Sequence, residues 1–144
     1  MRTLAVALVS AAALIAPTVA EAATWRGKTR QGRLAEVVTG TDGVVARVRI
    51  KYRVVCTDNK GFRAGVRFLP PFDLATTTAF SDRGRIGWRI AGGERARGRA
   101  SVEAGLRESG RWTGSFRLRV RITKSGRYVA TCRTGRIDWK ASPV

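Results

Sequence analysis

From Val44 to Cys56 the chain alternates: Val44, Ala46, Val48, Ile50, Tyr52, Val54 and Cys56 are apolar, and Arg47, Arg49, Lys51 and Arg53 stand among the residues between them. A period of two sends successive side chains to opposite faces, so the pattern predicts a strand with one buried and one wet face. The rhythm returns at Phe62 to Phe68, Arg85 to Ile90, Ala96 to Leu106, Trp112 to Thr123 and Tyr128 to Cys132. Leu34 to Thr39 and Arg136 to Lys140 are shorter candidates. Turn sequences fall between the runs: "TDGV", "DNKG", "RESGR", "KSGR" and "RTGR", with Asp-Gly a hairpin signal. After residue 22 no segment shows a helical period. These elements predict an all-β chain, an antiparallel β-sandwich of about 8–10 short strands, with a barrel as the alternative. "LPPFDLATTTAF" is the exception. Its Pro70-Pro71 cannot sit in a central ladder, and we read it as a connection crossing between sheets.

The first residues change the picture by placing the protein outside the cytosol. Arg2, an apolar core from Leu4 to Ala16 and the small-x-small Ala20-Glu21-Ala22 form a signal peptide over residues 1–22. The apolar run is too short for a transmembrane anchor. The expected product is a single domain over residues 23–144, secreted or envelope-associated. Outside the cytosol an isolated cysteine pair forms a disulfide, so Cys56 and Cys132 are expected to be linked. Both lie in phase with apolar neighbours and should point inward, where a bond could bridge two sheets with a Trp nearby, as in immunoglobulin-like domains. No His is present and no C-x-x-C, which argues against a zinc site or a redox pair. No metal or cofactor is expected.

Two segments, "GKTRQG" (Gly27 to Gly32) and "CRTGRIDWKA" (Cys132 to Ala141), together with the central Cys56, carry a resemblance. The chain resembles small secreted proteins of unassigned function from high-GC Gram-positive bacteria, which share G-x-T-x-Q-G near the mature start and C-x-[ST]-G-x-[VI]-x-W-x-A at the end. The resemblance implies a secreted, β-rich bacterial domain and carries no activity with it.

Catalysis finds little to work with. Without His the commonest general base is missing and Ser-His or Cys-His nucleophiles are excluded. No catalytic residues are assigned. Glycoside hydrolysis needs only two carboxylates and is the surviving enzymatic alternative, with Asp73 and Asp82, flanking the odd connection, as its candidates.

Charge is the remaining signal. Lys and Arg number 28 against 10 Asp and Glu, a formal net charge of +18, and arginine supplies most of the cations. A GC-rich genome explains arginine over lysine but not cation over anion. The runs Arg95 to Leu106 and Trp112 to Thr123 are joined by a short turn and should pair antiparallel. Matching their apolar faces sets odd positions opposite odd ones, with Arg99 opposite Arg119 and Arg97 opposite Arg121 for a turn near Ser109. Facing like charges are destabilising, and a ligand rich in phosphate or sulfate would relieve that cost, because guanidinium donates two parallel hydrogen bonds to such groups. The expected polyanion-binding residues are Arg47, Arg49, Lys51 and Arg53 with Arg97, Arg99, Arg117, Arg119 and Arg121. The expected partners are anionic cell-envelope polymers or extracellular polyanions, without sequence-specific nucleic-acid recognition, for which no reading motif is visible. Two alternatives stay open: an inert envelope or interaction domain, and a carbohydrate-binding module stacking sugars on tryptophan. Trp88 and Trp112 fall in phase with core positions, whereas Trp25 and Trp139 remain candidates for stacking.

Overall fold

The computed structural model describes residues 21–76 and 78–144, so the leader expected at residues 1–22 lies outside the described residues but for Glu21 and Ala22. Ten strands and no helix make up the described chain. They are β1 (Ala23–Thr29), β2 (Leu34–Thr39), β3 (Val45–Cys56), β4 (Gly61–Phe68), β5 (Asp73–Thr76), β6 (Ala79–Arg89), β7 (Glu94–Leu106), β8 (Trp112–Lys124), β9 (Arg127–Arg133) and β10 (Ile137–Pro143). Every strand pairing is antiparallel. Among the described residues no helix is long and apolar enough to cross a membrane.

Two long strands organise the fold because each changes partner along one edge. β3 pairs with β2 through Ala35↔Ile50 and, further on, with β9 at Val55↔Arg133 and Cys56↔Cys132. β8 pairs with β10 at Trp112 to Phe116 and with β9 from Arg119 onward. The hydrogen bonding therefore closes on itself in the order β8–β10–β1–β2–β3–β9–β8, with β4 on the free edge of β3 and β7, β6 and β5 beyond β8. The expected sandwich and its barrel alternative meet here: two packed layers joined by a closed ladder.

At each change of partner a side chain completes the backbone pairing, and both come from the two segments singled out in the sequence. The amide of Gln31 donates to the Arg53 carbonyl at 3.0 Å and accepts from the Arg53 N–H at 2.8 Å. On β8, Leu118 donates its N–H to Thr134 Oγ1 at 3.0 Å, and its carbonyl accepts the Thr134 N–H at 3.1 Å. Backbone groups at these gaps must find partners, and Gln31 and Thr134 supply them. Gly27 has a related role. A Cβ there would collide with the Lys140 carbonyl of β10, so only glycine lets β1 and β10 approach at Gly27↔Ala141.

Aromatic contacts hold the layers together. Tyr52 of β3 and Phe68 of β4 lie 5.2 and 6.2 Å from Phe116 of β8, and Phe62 of β4 meets Trp88 of β6 at 5.6 Å. Val48, Ile50, Val54, Phe116, Leu118 and Val120 are buried between them. The crossing connection expected after β4 does pass between layers, since β4 pairs with β3 and β5 with β6. It also holds β5, a strand its prolines had hidden.

Three local expectations are corrected. Cys56 and Cys132 are disulfide-bonded and buried as anticipated, but they face each other on neighbouring strands, Cα atoms 4.0 Å apart, rather than spanning two layers. Trp139 packs elsewhere, against Gly114 and Ala104, where a Cβ on Gly114 would meet its Cζ2 at 2.7 Å. Tyr128 lies outside rather than inside, 50% exposed, because a bulge at Ile122/Thr123 shifts the β8–β9 register and reverses its face.

Candidate functional site

The β7–β8 hairpin carries the arginine pairing expected of it. Arg97 lies opposite Arg121 and Arg99 opposite Arg119. The flanking strands lengthen the row. Arg85 of β6 faces Arg99, and Arg133 of β9 faces Arg119, so Arg85, Arg99, Arg119 and Arg133 stand side by side across four strands. Strand spacing puts such neighbours about 4.8 Å apart at the backbone. The adjoining rows add Arg97 and Arg121 on one side and Arg83 and Arg117 on the other, each of these opposite Ser101. All eight arginines are exposed.

Gly98 helps to bring the row together, because any Cβ there would strike the Arg119 carbonyl. β7 thus lies close against β8 between Arg97 and Arg99. Arg121 is further placed by Tyr128, whose ring sits 4.9 Å from the guanidinium carbon, a geometry of cation–π attraction. Tyr128 is in turn held by Thr131 and Thr57, 3.1 and 3.3 Å from its hydroxyl. Those hydrogen bonds, Thr131 first, together with the Arg121 charge, set its titration below the ordinary tyrosine range.

Among the described residues no carboxylate forms an ion pair with this face. The ion pairs among the described residues are Arg26–Glu36 at 2.9 Å, Arg47–Glu36 at 3.3 Å and Arg136–Asp138 at 3.0 Å, and none involves the eight arginines. Two depressions indent the row. One of about 400 Å3 is lined by Arg83, Arg99, Arg117, Arg119, Arg133 and Arg136, and the next, of about 580 Å3, by Arg97, Arg99, Arg119 and Arg121 with Tyr128. Neither has an acidic residue in its wall.

The expected binding residues separate into two groups. Arg97, Arg99, Arg117, Arg119 and Arg121 come together as described. Arg47, Arg49, Lys51 and Arg53 lie on the outer side of β3, which meets the row only where the exposed Val55 stands opposite Arg133, so they stand apart from the rows on β6–β9. Arg47 is also committed to Glu36, a buried carboxylate between β1 and β3 that bonds Arg26 as well. The Arg26 hydrogen bond above all, then the charges of Arg26, Arg47 and Arg49, hold Glu36 below the usual carboxylate range against the effect of burial. Arg83, Arg85 and Arg133 were not among the expected residues, although the alternation of β6 and the hairpin at Gly92–Gly93 would have extended the row to Arg85.

The other candidates are placed as clearly. Asp73 faces Ser81, while Asp82 faces Val102, whose side chain is in the core. Successive side chains of a strand point to opposite sides, so Asp82 is aimed away from Ser81, yet Asp73 and Asp82 both line one depression with Arg83, Glu103 and Arg117. Trp112 and Trp139 are buried. Trp25 is half-buried with its Nε1 donating to the Gly110 carbonyl at 3.0 Å, and Trp88 is half-buried against Phe62. The four indoles form no common stacking surface. Among the described residues no group of three Asp, Glu, Cys or His side chains could hold a metal ion.

No family model matches the sequence, and no curated protein or solved structure matches it either.

Proposed function

We propose that the protein is exported and binds anionic polymers of the cell envelope through the outer face of β6–β9, by charge rather than by sequence, and that it performs no chemistry of its own. The observation that supports this reading is the unneutralised row Arg85, Arg99, Arg119 and Arg133, with Arg97, Arg121, Arg83 and Arg117 in the adjoining rows. Cross-strand like charges are destabilising, and phosphate or sulfate groups lying along the row convert that repulsion into charge-assisted hydrogen bonds. The disulfide is compatible with a position outside the cytosol. The buried Trp112 and Trp139 weigh against sugar stacking.

Titration of polyphosphate, a heparin-like polymer and duplex DNA at increasing salt tests the proposal. If a duplex is neutralised at about five phosphates, log affinity falls against log salt with a slope near −4.5. Replacing Arg97, Arg99, Arg119 and Arg121 by Ser should flatten that slope by about 3 to 4 without unfolding the protein, since solvent-face changes rarely cost much stability. Replacing Arg49, Lys51 and Arg53 by Ser, on β3 outside these rows, should change it less. A folded β7–β8 variant that keeps its affinity and slope would move the site elsewhere, and no wild-type binding at low salt would end the proposal.

A further inference from the structure

The arginine face does not stop at Arg117. Along β6, β7 and β8 the next row reads Asp73–Ser81–Glu103–Ser115–Asp138 across β5, β6, β7, β8 and β10. This row lies in the wall of a cleft of about 860 Å3. A further depression of about 560 Å3, holding Asp73, Asp82 and Glu103 with Ser101, Ser115, Arg83 and Arg117, joins the cleft to the arginine rows. Each depression shares wall residues with the next: Glu103 and Ser115, then Ser101 and Arg117, then Arg99 and Arg119. The result is one trough along β7 from Gly105 to Arg97, roughly 27 Å at about 3.4 Å per residue.

The two ends of the trough differ in chemistry. One end is guanidinium with no carboxylate in its wall. The other mixes hydroxyls and three carboxylates, Asp73, Glu103 and Asp138, with the cations Lys28, Arg30, Arg107, Arg136 and Lys140. Its floor is fixed: Ser115 is 5% exposed and its hydroxyl donates to Glu103 Oε1 at 2.8 Å, leaving Glu103 with lone pairs to spare. Trp139, 3% exposed, also contributes to the wall, and its indole Nε1 has no hydrogen-bond partner in the protein. A uniformly anionic chain suits the arginine end but meets like charge at Asp73 and Glu103. Carboxylates that accept, set among lysines and arginines that donate, suit a unit with several hydroxyls, and the cleft volume lies in the range that takes small molecules.

We infer that the trough is shaped for a phosphate polymer whose repeats carry hydroxyls, a polyol or sugar phosphate, with phosphates on the arginine rows and a hydroxylated unit in the Asp73–Glu103 cleft. This rests on the polyanion reading above and names its ligand class. The test compares glycerol-phosphate oligomers with inorganic polyphosphate of equal phosphate number, using wild type, the Asp73→Asn, Glu103→Gln double variant and the four-arginine variant. The amide oxygen that Glu103→Gln introduces can still accept from Ser115, so the double variant should fold, which its unfolding midpoint checks. Wild type should prefer the glycerol-phosphate oligomer. The double variant should lose about tenfold or more for that oligomer, the scale of one or two charge-assisted hydrogen bonds, and should gain affinity for inorganic polyphosphate. A folded double variant with the wild-type preference intact would overturn the inference, while loss of both ligands in the four-arginine variant would leave the polyanion reading standing. Wild-type preference for inorganic polyphosphate or DNA would also overturn it. Failure to bind any of these polymers would instead remove the reading on which it rests.

Discussion

Glu36 is the residue on which the β1–β3 side depends most for its charge balance. Its side chain is buried, bonded to Arg26 and Arg47, and its carboxyl titrates below the ordinary range. A carboxylate with a depressed folded pKa stabilises the fold above the unfolded value, and that stability disappears as pH falls through the folded value. Glu36→Gln should therefore lower stability at neutral pH by about 1–3 kcal/mol, the scale of lost hydrogen bonds to a charged group. The difference from wild type should shrink as pH drops below the ordinary carboxylate range. Chemical unfolding at a series of pH values measures it, and a difference that stays constant down to strongly acid pH would contradict this role. The sequence showed Glu36 only as a polar position in a short strand. Its burial follows from Arg26 and Arg49 lying opposite it on the two adjacent strands.

At the scale of elements, the weakest joint is β3 against β9. Only Val55↔Arg133 and Cys56↔Cys132 are paired there, and the second pair carries the disulfide. Removing a native disulfide from a small secreted domain costs about 2–5 kcal/mol. The Cys56→Ala, Cys132→Ala double variant should lose stability on that scale. Its amide exchange should rise most in β9, because β8 then holds that strand on one edge only. Uniform loss of protection over all strands, with β9 no different, would show that the bond acts through the unfolded chain alone. Mass spectrometry of the native protein without reductant should find no free thiol. The pairing was legible from two inward cysteines in a chain read as exported, but not their position on adjacent strands. That position depends on β8 releasing β10 and taking β9, a change of partner marked in the sequence only by Thr134.

At the scale of the whole molecule the net charge of +18 works against compactness, and salt should relieve it. The unfolding midpoint should rise as salt is added from low ionic strength, where the screening length is about 30 Å, towards physiological salt, where it is about 8 Å. A polyanion bound by the folded form alone should raise the midpoint further, with about 2.7 kcal/mol of added stability at one hundred times its dissociation constant. The four-arginine variant should gain from salt less than wild type and from polyanion hardly at all. A midpoint indifferent to both additions would mean that the basic faces are already accommodated by the fold.

Taken by itself, the sequence determined what is local. Alternation assigned each arginine to the wet side of its strand, and a short turn with matched apolar faces set Arg97 and Arg99 against Arg121 and Arg119, because a register slip by one residue would expose the core. Tertiary structure decided what depends on distant strands meeting. Arg133 joined the row through β9, and Arg47 and its neighbours on β3 were left outside it. The bulge at Ile122/Thr123 turned Tyr128 outward onto Arg121. The chain also closed on itself, placing Asp73, Glu103 and Asp138 in one cleft. Backbone hydrogen bonds at a strand edge are the same whichever strand approaches, so sequence pattern alone cannot choose among partners. That choice is made by the summed packing of the two layers, through contacts such as Tyr52 on Phe116 and Phe62 on Trp88.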